Sequence, residues 1–169
     1  MEYNSTMKET EQAVPLEIVK KHLDINFGFE YKTDEIDSSL QAVLVANPTS
    51  FHRILIIDES AISKKQHLYL NIHAASHILL GHHLKPPFMG IIEPKASEHM
   101  EFRSANEEEW HRQANILTLG ILNKRIDRYW REIWEAIHID KSREEEEDIR
   151  ADSMSLVKLL GDYNYHQSS

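Results

Sequence analysis

His73 and His77 stand four residues apart in the segment Q-H-L-Y-L-N-I-H-A-A-S-H-I-L-L-G-H-H, residues 66–83. On a helix that spacing puts both imidazoles on one face, roughly 5–6 Å apart at Cβ. Two rings placed this way can aim nitrogens at one cation about 2.0–2.1 Å from each. Leu68, Ile72, Ala75 and Leu79 fall on the opposite side, and Leu70 and Leu80 flank the histidine face. A helix apolar nearly all round is expected to be buried. Two polar rings in such a helix need partners, which a metal ion supplies to both at once. The plainer alternative is that the pair are two ordinary side chains, and spacing alone does not separate the two.

The chain contains no cysteine, so thiolate sites and disulfides are excluded and any transition metal must be held by His, Asp or Glu. The other histidines, at positions 22, 52, 67, 99, 138 and 166, have no company at ligand spacing and read as structural or solvated. Trp110, Trp130 and Trp134 with Ile126, Ile133 and Ile137 make a helical stripe, which is core or a partner-helix interface rather than a cofactor site.

The elements that must position these residues can be read from periodicity and breakers. Residues 1–13 form a polar arm. Pro15 opens a short amphipathic helix with Leu16, Val19, His22 and Leu23 on one face. Residues 27–31, 41–46 and 52–58 read as strands of one sheet, with a turn at Asn47-Pro48. Ser63 caps a long helix over 64–84. A Pro- and Gly-containing connection spans 85–104. Helix resumes near Ala105 and runs to about His138, with a break at Gly120 or Asn123. A last helix covers 142–161, its acidic run REEEEDIRAD being a solvated face opposite Ile149, Met154, Leu156, Val157 and Leu160. The order, helix, strands, then helices, is α+β, a small sheet packed on one side by helices. Residues 14–138 are expected to form the main domain, with 139–169 a C-terminal helix packed on it.

With 169 residues the chain can bury a real core as one domain. A formal net charge of −9 and pI near 5.6 argue against non-specific nucleic-acid binding, which needs a basic surface. The polar, acidic start is no signal peptide, and the apolar-rich stretch Leu68 to Leu84 holds too many histidines to span a bilayer. The expectation is a cytoplasmic protein that binds neither membrane nor nucleic acid; the charge balance says nothing against a protein partner.

The stretch from Ile54-Leu55-Ile56-Ile57 through Asp58-Glu59-Ser60 to His73-Ala74-Ala75-Ser76-His77 and Leu79-Leu80-Gly81-His82 resembles the ImmA/IrrE family of zinc metallopeptidases. Members read as a strand, a short polar turn, then R-x-R-F-T-x-A-H-E-x-G-H-x-L-L-x-H. A second helix, E-x-x-A-N-x-F-A-x-x-L-L in the family, is matched by His111-Arg112-Gln113-Ala114-Asn115 through Ile121-Leu122. The resemblance covers roughly residues 15–125 and implies a zincin-like fold, a zinc ion, and proteolytic relief of a helix-turn-helix repressor often encoded nearby.

Two departures bear on activity. Ala74 stands where the family has the glutamate that takes a proton from water at the zinc and passes it to the leaving amine. His111 stands at the third ligand, where the family has Glu, giving His73, His77 and His111 as the expected metal set. Three histidines are a known zinc set, with one more positive charge than two histidines and a glutamate. Glu107 or Glu108, one turn before His111, ranks second as third ligand, and His83 third.

Three readings follow. The protein is a metallopeptidase disabled by an engineered Ala74; or a natural pseudo-peptidase that binds a repressor or other protein without cutting it; or a metal-free interaction module. Two departures in one site favour the second.

Overall fold

The structure, a computed structural model, describes residues 13–32, 40–46, 53–57, 62–84, 91–94 and 105–166. Helix α1 (Leu16–Phe27) buries Leu16, Val19, Leu23 and Phe27 and ends where Gly28 takes up the left-handed conformation at φ 70°, the usual way a glycine stops a helix. The first strand is therefore shorter at its start than alternation of Phe27, Phe29 and Tyr31 predicts: Phe27 belongs to the helix, and β1 is Phe29–Lys32. The three rings still meet edge to face across the cap. The polar arm lies outside the described residues, apart from Ala13.

Strands β2 (Leu40–Ala46) and β3 (Arg53–Ile57) fall where the β-branched runs place them. A fourth strand, β4 (Ile91–Pro94), sits inside the span expected to be only a connection. It is four residues long, carries Pro94, and lies at a sheet edge, where proline is tolerated because no neighbour needs its missing N–H. The sheet order is β1-β3-β2-β4, with β1 parallel to β3 and the other pairs antiparallel.

Helix α2 (Lys64–Leu79) starts at Ser63, whose hydroxyl accepts from the Gln66 amide. It does not continue to Leu84 as one helix. Gly81 adopts φ 78°, and residues His82–Leu84 form a separate 3₁₀ turn. Helix α3 (Ala105–Leu122) ends at Asn123 rather than at Gly120. Gly120 is instead a point of close approach: a Cβ there would lie 3.0 Å from Ile133 Cδ1. Helices α4 (Trp130–Ile137) and α5 (Arg143–Leu160) complete the chain. Helix α5 opens with a reciprocal capping box between Ser142 and Glu145, each satisfying the other's backbone N–H.

One hydrophobic cluster joins the sheet (Phe29, Leu44, Leu55, Ile57) to α2 (Leu68, Ile72), α3 (Leu117, Ile121) and the C-terminal helices (Ile137, Leu156). The fold is α+β. The tryptophan stripe is core: Trp130 is buried and stacks on Trp134. The acidic run of α5 faces solvent, while Ile149, Leu156 and Leu160 face inward. Among the described residues no helix is long and apolar enough to cross a membrane.

Candidate metal centre

Helices α2 and α3 pack along one another at the centre of the molecule. On α3 the positions Glu107, His111, Ala114, Thr118 and Ile121, spaced by four and three, form one buried face. Opposite it, α2 presents His73, Ser76 and His77, also buried. The serine side chain returns to its own helix, donating to the Ile72 carbonyl, and the Thr118 hydroxyl meets it from α3 at 3.0 Å. This polar clasp sits between the two α2 histidines in sequence and sets the separation of the helices there.

The imidazoles of His73, His77 and His111 converge. His73 Nε2 lies 3.2 Å from His77 Nε2 and 3.4 Å from His111 Nδ1. One ligand nitrogen from each residue falls within 4.8 Å of the others. Two nitrogens about 2.0–2.1 Å from a tetrahedral cation are about 3.3 Å apart, so both close contacts match an edge of a zinc-sized coordination sphere. The ring planes of His73 and His77 are nearly perpendicular, at 87°, so their nitrogens approach the shared point from different sides. The three side chains thus fit a metal ion on spacing, donor type and burial.

Sequence spacing paired His73 with His77, and the family resemblance added His111; the three converge. The runner-up ligands are not in the cluster. Glu107 is buried but stands outside it, and Glu108 is exposed. His83 is turned to the other side of α2, with Nε2 3.4 Å from Arg53 Nη2. There it lines a separate cleft of about 540 Å³ with Arg53, His22, Lys141, Asp148 and Asp152. Burial, helped by the Arg53 charge, lowers His83 to about 4, so it is neutral near pH 7.

Aromatic rings close the centre. Tyr69 stacks on His73 and is itself stacked by Tyr165 from the C-terminal segment. The Tyr69 hydroxyl donates to Asn115 Oδ1 on α3. Trp110 stacks on His82. Ala74 is buried beside the histidines, and its methyl group offers nothing that can take up or give a proton.

A second layer of polar residues went unrecognised in the sequence. His82 Nδ1 lies 2.8 Å from His77 Nδ1, and His82 Nε2 lies 2.8 Å from Gln113 Oε1. On a continuous helix His82 would point well away from His77; the break at Gly81 brings it back. The available signal was that glycine, followed at once by two histidines.

Comparison with protein-family models, with curated proteins and with solved structures gives no match.

Proposed function

We propose that this protein is a zincin-like, non-cleaving relative of the ImmA/IrrE metallopeptidases. It holds zinc through His73, His77 and His111 and acts by binding a protein partner, a helix-turn-helix repressor. The observation that carries this reading is the buried three-nitrogen cluster with Ala74 buried beside it, at the position where the resemblance puts the catalytic carboxylate. A bound zinc ion supplies a Lewis acid and a fixed anchor between α2 and α3. Peptide hydrolysis also needs a side chain that moves a proton on the reacting side. Losing such a group typically costs on the order of 10²–10⁴ in rate. Glu107, the buried carboxylate on α3, sits one turn from a ligand rather than on α2 where the family's base resides. The stacking of Tyr69 and Tyr165 over His73 further favours an enclosed, structural role for the ion over a cleft for a peptide.

The test is to look for a helix-turn-helix repressor encoded beside the gene and to mix it with the zinc-loaded protein. The unmodified chain should bind the repressor and leave it intact. Metal-dependent cleavage by the unmodified chain would refute the proposal. Gain of cleavage in Ala74→Glu would instead show a peptidase whose single defect is the alanine.

A further inference from the structure

His77 turns Nε2 toward the cluster and Nδ1 toward His82. A neutral imidazole carries one N–H, so the placement of that proton determines whether Nε2 offers a lone pair or is blocked. The 2.8 Å contact between His77 Nδ1 and His82 Nδ1 can be made in either sense: His77 donates and His82 accepts, or the reverse. Only the first leaves His77 Nε2 bare.

The residues behind His82 remove the ambiguity. Arg112 donates to both oxygens of Glu109, from Nε at 2.9 Å and from Nη2 at 2.6 Å. Both Glu109 oxygens accept from this guanidinium, which has only donors to offer, so Oε2 is an acceptor. Glu109 Oε2 lies 3.2 Å from Gln113 Nε2, and an acceptor there requires the amide nitrogen of Gln113 on that side. Gln113 Oε1 must then face His82 Nε2, 2.8 Å away. An amide oxygen accepts, so His82 carries its proton on Nε2 and is bare at Nδ1. His82 Nδ1 must therefore accept from His77. Arg112 itself is fixed at the far end, donating to the carbonyls of Ala136 and Ile137 at 2.9 Å each.

We propose that Gln113 and His82, oriented by Glu109 and Arg112, are positioning residues that set the tautomer of His77 and so make it a metal ligand. Every donor in the chain points the same way, from His77 outward to Gln113 and from Gln113 to Glu109. The purpose of the relay rests on the metal-centre reading above, but its direction is a property of the metal-free protein.

The experiment is long-range ¹H–¹⁵N NMR of the metal-free protein at neutral pH, paired with zinc titration. His77 should be protonated on Nδ1 and His82 on Nε2. Gln113→Met, which keeps the length but removes the acceptor, should lose this single tautomer and weaken zinc binding about 10–100-fold, as loss of an outer partner of a metal histidine typically does. Gln113→Glu paired with Glu109→Gln, which keeps an acceptor toward His82 and a donor–acceptor pair behind it, should recover both. A proton on His77 Nε2 in the wild-type protein overturns the proposal, as does an unchanged tautomer and affinity in a folded Gln113→Met protein. Should Gln113→Met fail to fold, the wild-type spectrum alone decides. The expected tautomers without zinc binding would leave the relay standing and remove the metal reading; zinc binding with the opposite tautomer would do the reverse.

Discussion

The Thr118 hydroxyl lies 3.0 Å from the Ser76 hydroxyl, in a wholly buried contact that joins the helix of His73 and His77 to the helix of His111. Ser76 donates to Ile72, and Thr118 also lies 2.6 Å from the Ala114 carbonyl, so the single Thr118 proton is shared between its own helix and Ser76 Oγ. Ligand spacing across the two helices depends on this joint. Thr118→Val keeps the shape and removes the hydroxyl. It should cost about 1 kcal/mol, the net worth of a typical buried hydrogen bond, with up to about 3 if the partner is left unsatisfied. Chemical denaturation measures this, and zinc affinity should fall by less than on removal of any ligand. Unchanged stability would show that the joint is held by apolar packing alone.

Gly81 supplies the left-handed turn, at φ 78°, that returns His82 to His77. A side chain at such a φ costs roughly 1–2 kcal/mol, and a Cβ there would meet Lys141 Nζ at 3.3 Å. Gly81→Ala should lower the unfolding free energy by about that amount. It should also displace the His82 ring, visible as a changed His77 resonance. An Ala variant as stable as the wild type, with His77 unmoved, would contradict the role given to this turn.

His83 gives a pH signature separate from the metal cluster. Its pKa is lowered from 6.5 to about 4, first by burial and then by Arg53. In that interval the unfolded chain binds more protons at this position than the folded one, so stability is complete above about pH 6.5 and declines as the pH falls toward 4. Denaturation midpoints at pH 7 and pH 4.5 should therefore differ less in His83→Gln than in the wild type. Equal differences would show that His83 does not contribute.

The parts of the fold visible in the sequence were those governed by local rules. Ser63 and the β-branched run Ile54–Ile57 each mark an element where the structure has one. The four-residue spacing of His73 and His77 survived because it lies wholly within α2. What the sequence left ambiguous depended on glycine. Gly28 and Gly81 could continue an element or end it, and both end one by taking positive φ. Gly120 looked like a breaker and is a packing contact. The edge strand Ile91–Pro94 was hidden by its brevity and its proline. His82 and Gln113 were illegible for a different reason. Their partnership crosses from a turn to a helix 31 residues away, and no periodicity encodes that.

The central claim, that His73, His77 and His111 form a metal centre, is tested most directly by measuring zinc content and affinity in purified protein alongside His77→Ala and His111→Ala. The protein should hold about one zinc ion per chain, displaceable by a chelator, and each substitution should abolish stoichiometric binding. Wild-type protein that takes up no zinc or other divalent transition metal, or zinc retained undiminished by both variants, would contradict the account.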